Sequence, residues 1–223
     1  MSNLPPIKLH YWNEQNNFGD QMSPFIVSQV SGREVEWAPP HKAELYAVGS
    51  LAGNGAELPE ARYWGTGIQN PQAAYKNGVS CNGTAFVRGP ITGEIFKQLG
   101  VKDVETIGDP ALLLRDLYEP KPIPNVGEFW MHHWSKEAHT EHWTHYVDMI
   151  ANASVVFSSS LHGLIVADAY GVPNAWRPRI HMCKIKFFDY FLSQGRPSNE
   201  EVFTPSRSNL AVVTSRIKES FPL

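Results

Sequence analysis

The chain has 223 residues, 42% hydrophobic, 12% aromatic and 18% charged, with a formal net charge of −3. A chain of this length buries about 70–75% of its unfolded surface, so its core needs neither a disulfide framework nor a structural metal. Aromatic richness without a heptad or triplet repeat excludes disorder, collagen and coiled coil, and the acidic balance excludes a nucleic-acid protein held by bulk charge.

No uncharged apolar run approaches the ~20 residues of a membrane span. The opening Met1–Pro6 lacks the basic and apolar regions of a secretory leader. Two cysteines, Cys81 and Cys183, make no framework and no metal signature. The expected setting is therefore the reducing cytoplasm, free or peripheral to the inner face of the membrane.

Short β-rich runs alternate with helical patterns along the whole chain. Strands are expected at Ile7–Trp12, Leu45–Val48, Arg62–Trp64, Thr84–Val87, Val104–Ile107, Glu128–Met131, Ser154–Phe157 and Asn174–Trp176. Helices are expected at Gln21–Ser31, Ile91–Leu99, Glu137–Ala151, Leu161–Tyr170, Ile185–Ser193 and Asn209–Glu219. This alternation implies right-handed βαβ units and mostly parallel sheet. The segment Asp116–Asn125, with Pro120, Pro122 and Pro124, cannot be helix interior and reads as a linker. It divides the chain into lobes 1–118 and 119–223, with fewer strands in the second, and the last helix is expected to pack back on the first lobe.

Five strand ends in the first lobe run into a glycine beside polar residues: Asn16–Asp20, Gly49-Ser50, Gly65-Thr-Gly67, Arg88-Gly-Pro-Ile-Thr92 and Gly108-Asp-Pro110. Each alone makes a tight strand-to-helix turn. Together on one sheet edge they point to a ligand cleft. In the second lobe an apolar strand runs into Ser158-Ser-Ser160 and opens a helix at Leu161-His162-Gly163. Hydroxyls and free amides at a positive helix end seat an anion, and His162 in the first turn can reach it; the alternative is that the serines cap and the histidine packs. Arg88, at a strand end, is expected to aim into the cleft and grip an anion. Asp20, Asp109 and Asp168 are the acids near these edges, with helix or turn capping as the alternative for the first two.

The remaining basic run, Arg177, Arg179, His181, Lys184 and Lys186, reads mostly as solvated charge. His132, His133, His139, His142 and His145 drift around a helix and lack thiolate or carboxylate neighbours, so no metal site is expected. Trp130, Trp134 and Trp143 beside them read as core and lobe contacts. A nucleoside-triphosphate P-loop and a Gly-x-Ser-x-Gly elbow are absent.

Taken in order, Asn17-Phe-Gly-Asp20, Val87-Arg-Gly-Pro-Ile-Thr92, Gly108-Asp-Pro-Ala-Leu112, Ser160-Leu-His-Gly-Leu-Ile165 and Ala169-Tyr-Gly-Val-Pro173 resemble the polysaccharide pyruvyl transferase family. The resemblance runs from about Asn16 to Gly195 and includes Lys186-Phe-Phe-Asp-Tyr190 and Ser193-Gln-Gly195. It implies two Rossmann-like lobes facing a cleft, in an arrangement similar to GT-B glycosyltransferases. The activity it implies is transfer of the enolpyruvyl unit of phosphoenolpyruvate to a polysaccharide sugar or its precursor, as a cyclic ketal, with release of phosphate.

By the same resemblance Arg88 and His162 hold phosphoenolpyruvate and carry the chemistry. The second lobe would bind this donor through Arg88, Ser159, Ser160, His162, Gly163, Arg177 and Lys184. The first lobe would bind the sugar acceptor, free or lipid-linked, through Asn17, Gly19, Asp20 and Ser50. No cofactor or metal is called for. One departure matters: many relatives carry arginine directly before the Leu-His pair, where this chain has Ser160, so the missing anion contact is expected from Arg177, Arg179 or Lys184. The chain is also shorter than many members, which implies a pared-down acceptor side. Two other readings share these features: a GT-B-like glycosyltransferase using a nucleotide sugar, for which no ribose-binding acid is evident, and an inactive sugar-phosphate-binding homologue.

Overall fold

The structure is a computed structural model and describes residues 4–13, 17–55, 57, 59–132, 141–180, 182–197 and 201–223. It is a mixed α/β protein with two parallel sheets. The first contains β1 (Ile7–His10), β2 (Val35–Trp37), β3 (Leu45–Tyr46), β4 (Arg62–Thr66), β5 (Ala85–Val87) and β6 (Val104–Thr106), in the order β2-β1-β3-β4-β5-β6. The second contains β7 (Glu128–Met131), β8 (Val155–Ser158) and β9 (Asn174–Trp176), in that order. All these strands being parallel, the glycine loops of the first sheet share its carboxyl edge. The strand order reverses at β1, so the crevice between the ends of β1 and β3 is the topological switch point where open α/β sheets bind ligands.

Helices α1 (Phe18–Ser31), α2 (Pro71–Asn77), α3 (Pro90–Gln98) and α4 (Leu114–Leu117) accompany the first sheet. Helices α5 (Trp143–Ala151), α6 (Leu161–Tyr170), α7 (Ile185–Gln194) and α8 (Arg207–Glu219) follow. One hydrophobic cluster joins the two sheets, running from Ile7 and Leu9 through Phe18 and Met22 to Val147, Val156, Leu164 and Phe187. A smaller one, with Tyr46, Tyr63, Val87 and Phe96, covers the other face of the first sheet. Helix α6 lies within the larger cluster. Its residues Leu161–Ala169 are all buried, which explains why its sequence is apolar around the whole circumference rather than along one stripe. Its last turn ends on Gly171 in the left-handed region (φ 73°).

The final helix α8 lies against the first sheet. Trp64 Nε1 donates to the Ile217 carbonyl at 2.9 Å, and the Phe221 ring packs edge-on to Trp64. Strand β2 and helices α2 and α4 differ from the expected elements. Strand β2 carries Glu36 between Val35 and Trp37 and lies on the sheet edge, where one-sided burial weakens the apolar signal. Helix α2 buries only Ala74 and rests on its Asn70 cap and Pro71, so it has no periodic stripe. Asp116, expected to begin the linker, belongs to α4, and the extended segment starts at Tyr118. The first four residues expected for the α5 helix, 137–140, lie outside the described residues, as do Asn16, His133, Trp134, His139 and His181. No helix among the described residues is long and apolar enough to cross a membrane.

Asp168, one of the acids near the candidate edges, is a structural residue. Its carboxylate accepts from Asn174 Nδ2 (2.7 Å), the Tyr190 hydroxyl (2.7 Å) and Arg196 Nη1 (3.0 Å), tying α6 to β9 and α7. The Arg196 guanidinium is sandwiched between Phe191 and Phe203, 4.5 Å from each ring centre. Removing one member of a buried pair leaves the other uncompensated. Arg196→Met is therefore expected to lower unfolding stability by about 3–5 kcal/mol, read by urea denaturation, and Asp168→Leu in the same chain should recover much of that loss.

Candidate functional site

The carboxyl edges of both sheets open on one cavity of about 400 Å³. After β1 come Trp12, Asn17 and Asp20; after β3, Gly49, Ser50, Leu51 and Asn54; after β4, Gln69 and Asn70; after β8, Ser160, Leu161 and His162; and from α7, Lys186. Of the residues expected from sequence, Asn17, Asp20, Ser50, Ser160 and His162 line this space together.

Local backbone devices set Asn17, Asp20, Gly49 and Ser160. Asn17 is the N-cap of α1, its side chain accepting from Gly19 N at 3.2 Å. Asp20 follows in the first turn and accepts from Trp12 N at 3.4 Å. Gly49, at φ 122°, lets the backbone pass close beside the Asp20 carboxylate. Ser158 Oγ donates to the Ser160 carbonyl (2.8 Å) and accepts from Ser160 N (2.9 Å), which fixes the turn that starts α6. The Ser160 hydroxyl makes no capping bond, so α6 presents its amino end to the cavity without a side-chain cap.

Gly19 does not line the cavity. A methyl group there would overlap the His162 ring, so the first turn of α1 is the surface on which the imidazole rests. Gly163, where the missing side chain admits either a ligand or a neighbouring strand, takes the strand: it packs against Met131 of β7 and Ser158 of β8, and Ser159 N donates to the Met131 carbonyl. Neither lines the cavity. Arg88 also differs from expectation. Its side chain is wholly buried behind the wall, donating through Nη1 to the Gly49 carbonyl (3.2 Å) and Ser50 Oγ (2.9 Å). Its Nε lies 3.5 Å from Asp189 Oδ2 and its Nη1 3.9 Å from Asp109 Oδ2. The amino end of α3, expected as part of the ligand edge, is filled by the Asp189 carboxylate, which accepts from Thr92 N (2.9 Å) and Thr92 Oγ1 (2.7 Å).

The cations expected from the second lobe also lie elsewhere. Arg177 stacks over Phe157 at 4.7 Å and donates to the Trp176 carbonyl, while Lys184 and Arg179 are exposed. The ammonium at the cavity is Lys186, nine-tenths buried. Its signal in the sequence is that Lys186 and Asp189 stand on the face of α7 that also buries Phe187, Tyr190 and Phe191. Charged residues on an apolar face mark a site rather than a solvated run. Of the histidines, His142 caps α5, its Nδ1 2.9 Å from Thr144 Oγ1.

Burial sets the charge states here. It pushes the Asp20 carboxyl up to about 7, against the pull of the Trp12 amide and the Lys186 ammonium. It pushes Lys186 down to about 8, with the Arg88 charge adding to the effect. Asp109 rises to about 6 through burial, opposed by Arg88. The cavity thus holds groups that exchange protons near neutral pH.

A family model for polysaccharide pyruvyl transferase matches residues 63–177, just over half of the chain. The chain belongs to the polysaccharide pyruvyl transferase family. The matched span contains Arg88, Asp109 and His162, whereas Asp20 and Lys186 reach the cavity from outside it. An uncharacterized protein of Acanthamoeba polyphaga mimivirus is 26% identical, over 92% of this chain and 81% of its own length. The crystal structure of a functionally uncharacterized protein from Klebsiella pneumoniae superposes with a TM-score of 0.55 at 14% identity, covering 83% of this chain and 87% of that one. That likeness is one of fold.

Two outcomes follow from this geometry. Gly19→Ala should destabilise the family member by about 1–3 kcal/mol through overpacking on the imidazole, and a double-mutant cycle with His162→Ala should show that most of this loss is coupled. Because folding raises the Asp20 pKa from its ordinary value near 4 to about 7, the folded protein holds that proton more tightly than the unfolded chain. The stability this contributes is complete below about pH 4 and is lost as pH rises through 7. Asp109 acts in the same sense up to about 6. Asp20→Asn should therefore gain stability relative to wild type as pH rises from 4 to 7, measured by denaturant titrations across that range.

Proposed function

We propose that this transferase moves the enolpyruvyl unit of phosphoenolpyruvate onto two hydroxyls of one sugar, forming a pyruvate ketal and releasing inorganic phosphate. The observation that carries the reading is the convergence on one cavity of His162, Lys186 and the amino end of α6, which has no side-chain cap, together with Asp20, Asn17 and Trp12. Phosphoenolpyruvate carries a carboxylate and a phosphate, which need cations and free amides. Lys186 is the cation that answers for the arginine missing at Ser160. A sugar needs hydroxyl partners and a flat apolar face, for which Asn17, Asn54, Gln69, Asn70 and the half-exposed Trp12 are suited.

In this scheme the methylene carbon of phosphoenolpyruvate takes a proton from His162 and positive charge develops at the central carbon. A sugar hydroxyl adds there and gives up its proton to the Asp20 carboxylate. The bond from the central carbon to the phosphate oxygen then breaks, and inorganic phosphate leaves with its charge held by Lys186 and the α6 amides. The second hydroxyl adds at the same carbon, gives its proton to His162, which restores the acid, and closes the ketal ring, while the proton taken up by Asp20 leaves with the phosphate. Arg88 contributes from behind the wall by holding Ser50 and Gly49 in place. The reaction is proposed for the cytoplasm, on a free or lipid-linked polysaccharide precursor.

Incubation with phosphoenolpyruvate and a panel of glycosides should release phosphate and yield pyruvate ketal in equal amounts. His162→Ala should lower kcat by ~10²–10⁴-fold, while Lys186→Met should raise the KM for phosphoenolpyruvate about 10- to 100-fold. Binding of phosphoenolpyruvate without turnover on any glycoside would point instead to a sugar-phosphate-binding homologue, and neither binding nor turnover would end the reading.

A further inference from the structure

We propose that Asp109 is the positioning residue for His162, its carboxylate facing Nε2 of the imidazole and keeping the ring proton on that nitrogen. The catalytic part of this statement rests on the function proposed above; the pairing of the two side chains rests on geometry alone.

Asp109 follows β6 in the Gly-Asp-Pro turn and is fully buried. Its Oδ1 accepts from Ala111 N at 3.0 Å and caps the 3-10 turn Pro110–Leu113, which fixes the plane of the carboxylate. Capping leaves Oδ2 over. That oxygen accepts no hydrogen bond and lies 3.9 Å from both Arg88 Nη1 and His162 Nε2. A cap needs no second oxygen buried toward an imidazole. The opposite ring nitrogen, Nδ1, lies on the side of Gly19 and the first turn of α1, the helix that carries Asp20.

The charges around the pair act in the same direction. Behind the wall stand two buried carboxylates, Asp109 and Asp189, and one permanent cation, Arg88. Asp189 spends its oxygens on Thr92 and the start of α3. On the cavity side Asp20 and Lys186 oppose each other in charge. Among the described residues Arg88 thus faces two buried carboxylates, and a proton on His162 would add positive charge beside Asp109. A carboxylate on one imidazole nitrogen selects the tautomer and stabilises the imidazolium.

The test is Asp109→Asn, which keeps volume and the capping acceptor, read by ¹⁵N-histidine NMR with the His162 signals identified by their loss in His162→Gln. Wild-type protein at high pH should show the Nε2–H tautomer, and in the variant the His162 signals should titrate about one unit or more lower. With phosphoenolpyruvate, kcat should fall ~10²–10⁴-fold with little change in the donor's KM. An Nδ1–H tautomer in wild type overturns the proposal, and that measurement stands even if the variant does not fold. Identical His162 titrations in folded wild type and variant also overturn it. If the NMR results hold and phosphoenolpyruvate is no substrate, the pairing stands and the reaction proposed above fails.

Discussion

Glycines on the first sheet's loops receive charged or polar side chains from the second half of the chain. The His162 ring rests on Gly19, and the Asp189 carboxylate lies against Gly89 at the start of α3. A side chain at either glycine would hold the amino ends of α1 and α6, or of α3 and α7, apart. The cavity depends on this, because its walls come from loops on both sheets and exist only at that separation. The hydrophobic cluster shared by the sheets supplies the driving force, with residues such as Leu164 and Ile165 wholly buried and each contributing about 1.5–3 kcal/mol. The glycine contacts decide how close the surfaces come.

Charge in this protein is arranged in two layers. Asp20, Lys186 and His162 face the cavity, and Arg88, Asp109 and Asp189 lie beneath. The lower layer takes up charges that would be prohibitive alone, by pairing Arg88 with both acids and by using the acids as caps for α3 and the 3-10 turn at Pro110. Burial then shifts the cavity layer toward neutral pH. Both effects have one origin, the low polarizability of the interior compared with water, which makes a paired charge rigid and an exposed-to-cavity charge easily titrated.

The span matched by the family model supplies Arg88 and Asp109 of the lower layer and Ser160 and His162 at the cavity. Val87–Thr92 and Gly108–Leu112 build the pairs around Arg88, and Ser158–Gly163 builds the start of α6. The cavity surface draws on residues beyond the matched span, Asn17, Asp20 and Lys186 among them. Ser160 and the Lys186 ammonium both line the cavity.

Periodicity and turn chemistry in the sequence alone determined the α/β class, the parallel sheets, the ends of α6 and β9, and the polar loops at the strand ends. These are local properties, written in residues a few positions apart. Strand β2 and helix α2 were not legible, because a half-exposed edge strand and a helix burying one alanine carry little periodic signal. For the site, the sequence named Asn17, Asp20, Ser50, Ser160 and His162 by their place at strand and helix ends. Only the tertiary structure decided that Arg88 lies behind the wall, that Gly163 packs on Met131, and that Lys186 rather than Lys184 or Arg177 is the cation at the cavity. Which way a long charged side chain points depends on the partners that meet it from distant parts of the chain, here Ser50, Asp109 and Asp189 for Arg88. No spacing along the sequence encodes that meeting.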